Sequence, residues 1–495
     1  MHDPRAASAD SGFDEPKNPS TEETSGHEAA QESHIVWWDG DDDPKNPYNW
    51  ATWPKMVNTV LISVLTFVTP LASSIFAPGI PELMVEFKSS NTELAAFVVS
   101  VYVLGFAFGP LFLAPLSEMY GRLIIYHVCN ICFMGCTIGC ALAPTLNALI
   151  GLRFVAGIFG SCPLTIGGGS IADMITQEKR ASAMAGFSIG PLIGPIIGPV
   201  VGGVIQSKLG WRWVFWVLTM VSGAVTIAMA VFSRETYAPV LLQRKTEAVR
   251  KETGDERWRS KLDSGLSHKE LLKRSLLRPL KMLLFSPICT IFALFLVMVY
   301  GYLYLLFTSV SYVFQQQYGF GTTSVGLVYL GLGVGSFIGL AVYTVDSNRV
   351  VKSQAASQGV AKPEVRLRLL PLGAFIMPCG FFIYGWTAQY KTHWIAPIIG
   401  LGVIGVGNLI CFMAVSIYLV DAYTTYAASA LAANTVMRSI AGAVLPLCGL
   451  KMYNQLGLGW GNSLLGFIAI AMLPIPILIL RFGEGLRLKT KMDAL

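Results

Sequence analysis

Apolar residues along the chain come in long runs separated by short polar connections. A helix that crosses a bilayer needs about 20 such residues. Runs of that size fall near 56–78, 94–115, 123–143, 148–172, 182–206 and 213–232. After a charged stretch, six more lie near 287–312, 323–345, 368–388, 394–420, 424–450 and 462–481. The pattern predicts an all-α integral membrane protein with twelve transmembrane helices arranged six plus six. Several runs contain Gly or Pro, which membrane helices tolerate because neighbours satisfy the freed backbone groups. A barrel is excluded, since its strands would alternate in runs of about 10 residues. The expected divisions are a tail at 1–54, a six-helix unit at 55–233, a linker at 234–286, a second six-helix unit at 287–482 and a short tail at 483–495.

Composition strengthens this reading. The 495 residues are 53% hydrophobic and 13% charged, with a mean hydropathy of +0.55, whereas globular domains carry about 25% charged residues. The net charge of +6 conceals a partition: residues 1–55 hold 4 Lys/Arg and 12 Asp/Glu, and the rest hold 32 and 18. Residues 1–34 are too polar to offset ordering entropy by burial and are expected to be disordered. They lack the apolar stretch of a secretory signal, so the N-terminus is expected in the cytosol. Beyond the tail, 25 Lys/Arg then fall on the cytosolic side, five on the outer side, and two, Arg153 and Arg438, within spans. That is the positive-inside asymmetry, and it places both termini in the cytosol.

The linker's thirteen basic and seven acidic residues suit a segment lying on the anionic inner leaflet. Interleaved acids cancel the field a nucleic acid would need, so no nucleic-acid partner is expected. The acidic, Pro-broken block Trp37–Trp50 reads as a juxtamembrane turn; Asp39, Asp41 and Asp43 lack the Gly and Glu of a calcium loop. Cys129, Cys132, Cys136 and Cys140 share one helix face, but four thiolates on one helix cannot surround a tetrahedral ion, so no metal is expected. No H-E-x-x-H motif occurs, which counts against an enzyme of that kind. The short outward connections leave a receptor without an extracellular domain.

Span five is the most informative stretch. Gly186, Gly190, Gly194, Gly198 and Gly202 recur every four residues, with Pro191, Pro195 and Pro199 among them. That spacing lines one helix face with small residues and admits close backbone approach, while the prolines delete amide donors and bend the helix. Helix packing alone accounts for the ladder. The stretch Gly194-Pro-Ile-Ile-Gly198-Pro199-Val-Val-Gly202-Gly203 also resembles the antiporter signature g-x-x-x-G-P-x-x-G-G of the major facilitator superfamily. Ala114-Pro-Leu-Ser-Glu118-Met-Tyr-Gly121-Arg122 is similar to that superfamily's loop motif G-x-L-a-D-r-x-G-R, departing at Ala114, Glu118 and Met119. Leu149-Ile-Gly-Leu-Arg153-Phe-Val-Ala-Gly157 resembles its span-four motif, with Ala156 where Gln is usual. The Trp37–Trp50 block, Arg234-Glu-Thr-Tyr-Ala-Pro-Val-Leu-Leu242, Asn434-Thr-Val-Met-Arg438 and Pro474-Ile-Pro476 together look like the fungal twelve-span drug:proton antiporter group, over about 36–490.

The resemblance implies two pseudo-symmetric six-helix bundles that rock about a site near the bilayer midplane. It implies a monomer in the plasma membrane, or alternatively the vacuolar membrane, that exports a small amphipathic organic molecule without any cofactor, driven by the proton gradient. It also implies a cytosolic charge latch of Glu118, Arg122 and Asp173, although ordinary surface charges at a turn remain an alternative. The glycine ladder would form a sliding contact between the halves, against Gly331, Gly335 and Gly339 of span eight, with Gly194, Gly198, Pro199, Gly202 and Gly203 as the hinge. In span seven, Tyr300, Tyr302, Tyr304, Phe307 and Tyr312 offer apolar area with hydroxyl handles for a flat cargo, or, for Tyr312, an interfacial belt. Arg153 and then Arg438 are the candidate ionic anchors, since an intramembrane charge is costly and functional by default; both favour neutral or anionic cargo. No Asp or Glu lies in the middle of a span, and Glu93, at the outer start of span two, is the candidate proton carrier. A facilitator, or an exporter of a small organic anion or polyamine-like metabolite without proton coupling, is the alternative.

Overall fold

The computed structural model describes residues 34–489 apart from 90, 264, 266, 359–361, 424 and 425. Span one, Thr52–Ser74, continues through a 3-10 turn at Ala77–Gly79 into Ile80–Glu86. Spans two and three, Thr92–Tyr120 and Arg122–Ala141, meet at Gly121. Span four divides at Ser161 into Leu146–Gly160 and Cys162–Met174, where Pro163 has no amide to carry the first piece onward. Spans five and six are Gln177–Leu209 and Arg212–Phe232. Two linker helices follow, Ala238–Thr253 and His268–Phe285. Spans seven to ten are Pro287–Tyr318, Thr322–Gln358, Leu370–Gln389 and Ile395–Ala422.

The last two spans depart from expectation. In place of a loop after 450, helical structure runs over Ala427–Met472, broken only at Gly457 (φ 77°, ψ 170°). That backbone region belongs essentially to glycine. The Gln389 side-chain oxygen accepts from the amides of Leu458 and Gly459 at 2.7 and 3.2 Å, starting span twelve where span eleven ends. Among the described residues eleven helices are long and apolar enough to cross a membrane, and the last, Ser429–Arg487, contains both spans eleven and twelve. The total is twelve.

Each half has its own apolar core. Phe292, Phe381 and Tyr418 belong to the core of the second half. The first half has one cluster around Phe76, Trp211 and Phe215 at the end away from the termini. A second surrounds Tyr126, Ile166 and Met229 at the terminal end. The halves meet along spans two and eleven and along spans five and eight.

Within the tail expected at 1–54, His34–Trp50 is docked on the linker. Strand β1, Ile35–Val36, pairs in parallel with β2, Arg259–Ser260, of the linker. Lys245 reaches from the first linker helix to Asp39 Oδ1 at 2.5 Å and to the Trp37 carbonyl at 2.8 Å. Buried Asp43 accepts from the amides of Asp39 and Lys45, both at 2.9 Å, and these amides hold its carboxyl below the usual range. Tyr48 donates to the Ala172 carbonyl at 2.9 Å, fastening the segment to span four. Apolar and charged side chains distributed over two distant segments thus order each other. The tail residues 1–33 and 490–495 lie outside the described residues.

Candidate functional site

The two intramembrane arginines occupy different settings. Arg153 is 2% exposed. Its Nε donates to the Val98 carbonyl at 2.6 Å, and Nη2 to those of Ser73 and Ala72 at 3.3 and 3.4 Å. The rings of Tyr102, Phe76 and Phe215 surround the guanidinium at 5.3–5.8 Å. Backbone carbonyls and ring faces therefore satisfy this charge inside the first half. The expected ionic anchor is here a rivet joining spans one, two and four.

Ser73 connects Arg153 to the other half. Its hydroxyl meets the Tyr304 hydroxyl at 3.0 Å. Tyr304 packs against Tyr300, with centroids 5.1 Å apart, and the guanidinium of Arg438 lies 4.6 Å from the Tyr300 ring and 5.1 Å from Phe412. A polar and aromatic path thus crosses the midplane from span four to span eleven. Ser100 adds a second crossing by donating to the Ala443 carbonyl at 2.8 Å. Ser73 and Ser100 were not legible as site residues, because a lone serine in an apolar run carries no periodic signal. The other span-seven rings divide: Tyr302 turns away to the Leu465 carbonyl, and Tyr312 lines a cavity of about 150 Å3 with Met84, Ala95, Thr308, Ser311 and Leu450.

That cavity sits at the end away from the termini, where the halves are tied together. Thr322 donates to Glu82 at 2.5 Å and Thr323 to Ser207 at 2.7 Å. Glu93, the expected proton carrier, lies on this rim, 3.7 Å from Lys451, with both side chains more than half exposed. It is an inter-half rim pair rather than a group inside the crevice.

The glycine ladder faces span one. A Cβ on Gly190 would sit 3.0 Å from the Phe67 amide, one on Gly194 2.8 Å from the Phe67 carbonyl, and one on Gly202 1.8 Å from the Ile75 carbonyl. A Cβ on Gly198 would sit 2.3 Å from Ser74 Oγ, which itself donates to the Pro195 carbonyl at 2.9 Å. The expected sliding partner in span eight faces elsewhere: Gly331, Gly335 and Gly339 abut Ile398, Gly402 and Val406 of span ten. Both ladders are seams within a half. Spacing of four puts residues on one face without naming what lies opposite. Of the hinge residues, Pro199 and Gly203 do reach the other half: their neighbour across the boundary is Gly326 of span eight.

At the terminal end, Arg122 Nε lies 3.3 Å from Asp173, as expected of a latch, and Arg122 also donates to Ser117 at 2.5 Å. Glu118 makes no ion pair within 4.0 Å among the described residues, though the charge of Arg122 still acts on it. The acid that completes the turn is Glu235, which accepts from the amides of Arg122, Leu123, Thr236 and Tyr237 at 2.9–3.1 Å. Gly121 is needed there twice over: its φ is +99°, and a Cβ would meet Glu235 Oε2 at 2.4 Å. Tyr237 stacks 4.5 Å from the Arg122 guanidinium, and its phenol is pushed up by burial and by the charge of Glu118. In the second half Arg366 repeats the arrangement, 2.8 Å from Asp421 and 2.9 Å from the Ser347 hydroxyl. Ser347, Arg366 and Asp421 thus stand in the second half as Ser117, Arg122 and Asp173 stand in the first.

Comparison with known proteins agrees with this architecture. The family model described as Major Facilitator Superfamily matches residues 62–446. The MFS-type transporter penM of Penicillium rubens is 55% identical over 464 residues, covering 94% of this chain and 91% of its own. The efflux pump radE of Floropilus chiversii is 48% identical over 462 residues, covering 93% and 86%. Among solved structures, a D-xylose–proton symporter aligns with a TM-score of 0.64 at 14% identity, over 84% of this chain and 97% of that one. A bacterial homolog of the human lysosomal transporter Spinster, in an inward-facing and unoccupied conformation, aligns with a TM-score of 0.63 at 13% identity, over 89% and 99%.

Proposed function

The chain belongs to the major facilitator superfamily of membrane transporters, and from that premise we propose that it exports small amphipathic organic molecules, such as a drug, toxin or secondary metabolite, by alternating access in exchange for protons. Similarity to a protein named as an efflux pump, over 93% of this chain, carries the direction of transport. The Gly194–Gly203 signature supports proton exchange. The proposed orientation has both termini in the cytosol of a multi-pass protein of the plasma membrane, acting as a monomer without a cofactor. On that orientation, the Glu82–Thr322, Ser207–Thr323 and Glu93–Lys451 contacts close the outer side, and cargo would load from the cytosol. The closed outer end and the midplane path through Ser73 and Tyr304 suit a carrier that opens one side at a time.

One observation favours a second reading. Each acid within the described spans, including Glu82, Glu93, Glu118, Asp173, Asp346 and Asp421, lies near a span end, whereas proton relays in transporters are built from acids or histidines inside the membrane. The second reading is export of a small organic anion or a similar metabolite without proton coupling. Purified protein in liposomes with an imposed pH gradient separates the two. Cargo-dependent proton flux is expected for exchange; cargo movement with no proton flux would overturn exchange and leave the second reading.

A further inference from the structure

Arg438 is a cation within an apolar span that forms no ion pair among the described residues. It stands nine residues into span eleven, about 14 Å along the helix at 1.5 Å per residue. Among the described residues it makes no ion pair and no hydrogen bond; its contacts are the faces of Tyr300 in span seven and Phe412 in span ten. Ring partners on two neighbouring helices aim the side chain into the second half's bundle rather than at lipid. Arg438, Tyr300 and Phe412 are each only part-buried, so the cluster is not sealed as Arg153 is. Arg153 makes the contrast: buried to 2% exposure, with three backbone carbonyls about it, it has no open donor face to offer.

A guanidinium presents a planar fork of donors matched to a carboxylate and stacks on aromatic faces at the same time. Held between two rings, it keeps its fork edge free, and the rings extend as an apolar platform beside it. Tyr300 continues that platform to Tyr304 at 5.1 Å, and Tyr304 reaches Ser73 of the first half. Tyr304 and Ser73 are both buried, so they brace Tyr300 from behind across the two halves.

Resting on the exporter reading above, we propose that Arg438, Tyr300 and Phe412 form the cargo's anion site. The class of cargo it takes is an aromatic or polycyclic body bearing one acidic group, a carboxylate or an acidic phenol. The acid lies on the Arg438 fork and the ring system along Tyr300 and Phe412. Cationic amphiphiles of the same shape are rejected by the unpaired charge.

Fluorescein and rhodamine 123 share a xanthene ring system but carry opposite charge at neutral pH, and their binding to the full-length protein in nanodiscs can be read by fluorescence anisotropy. Fluorescein is expected to bind about ten-fold or more tightly than rhodamine 123. Arg438→Gln is expected to remove about ten-fold of fluorescein affinity without weakening rhodamine 123, and Arg438→Lys, which keeps the charge, should retain more than the Gln variant. Tyr300→Ala should weaken fluorescein as well. Equal binding of the two dyes, no binding of fluorescein, or unchanged fluorescein affinity in Arg438→Gln would each overturn the site. If the Gln variant does not purify as a monodisperse species, the wild-type dye preference and the Lys variant decide. Transport separates the two levels of the proposal. Fluorescein bound in this pattern but not moved across proteoliposomes sinks export and keeps the site; fluorescein exported equally by wild type and Arg438→Gln sinks the site and keeps export.

Discussion

In the sequence Arg153 and Arg438 are alike, each a lone cation in an apolar run, and only their neighbours tell them apart. Carbonyls of Val98, Ala72 and Ser73 converge on Arg153 because spans one, two and four pack closely enough to bring them there. Removing that charge strands three backbone acceptors, and hydrogen bonds to charged groups are worth about 1.5–3 kcal/mol each. Arg153→Gln is therefore expected to lower the unfolding temperature of the detergent-purified protein markedly, with Arg438→Gln close to wild type; the reverse order would contradict the roles assigned. The glycines are similar. Their period was legible, but which of them are obligatory depends on what they meet. Gly202→Ala must displace the Ile75 carbonyl and should cost about 1–3 kcal/mol by overpacking, while Gly186, with nothing within 4 Å, should accept Ala unchanged in the same thermal assay. Gly198→Leu should abolish transport with the protein still present in the membrane, by forcing span one off span five; normal export by that variant would remove the ladder from the mechanism.

At the scale of elements, the turn between spans two and three depends on a residue more than a hundred positions away. Glu235 takes four amides, so the start of the linker is part of the first half's latch. Glu235→Ala should destabilise the protein by about 1.5–3 kcal/mol for the charge-assisted bonds lost, and should speed proteolysis of the linker. The segment around Asp43 behaves as a second such element. Its carboxyl titrates lower in the folded protein than in the open chain, so the stabilisation it gives is present above the ordinary carboxylate value, about 3.9, and is lost as pH falls through the lower folded value. Hydrogen exchange of residues 35–45 is expected to be slow and flat from pH 7 to 5, after correction for intrinsic rates, and to rise only below about pH 4; Asp43→Asn should be fast throughout. Protection that persisted in the Asn variant would show that β-pairing alone holds the segment. The loop motif and Asp173 were readable from local pattern, whereas Glu235 and the His34–Trp50 docking were not, because both depend on contacts between remote segments.

For the whole molecule, the testable quantity is the balance between ends. Pro199, Gly203 and Gly326 bring spans five and eight into backbone contact, where a Cβ on Gly326 would lie 2.6 Å from the Pro199 carbonyl. A wedge there, Gly326→Leu, should hold the rim apart and favour opening at the end away from the termini. A cysteine introduced at Tyr312, in the cavity beneath the rim, should then react faster with a membrane-impermeant thiol reagent; an unchanged rate would mean that this contact does not govern closure. The number of helices, their all-α membrane class and the sidedness of charge were determined by the sequence itself, because hydropathy and Lys/Arg bias are sums over local residues. Tertiary structure alone decided which face of each helix meets which neighbour, and with it the span-one partner of the glycine ladder, the satisfied state of Arg153 and the open one of Arg438. Between apolar helices in lipid, water imposes no preference for one apolar face over another, so rotation and pairing are set by the fit of small residues and by a few crossing hydrogen bonds.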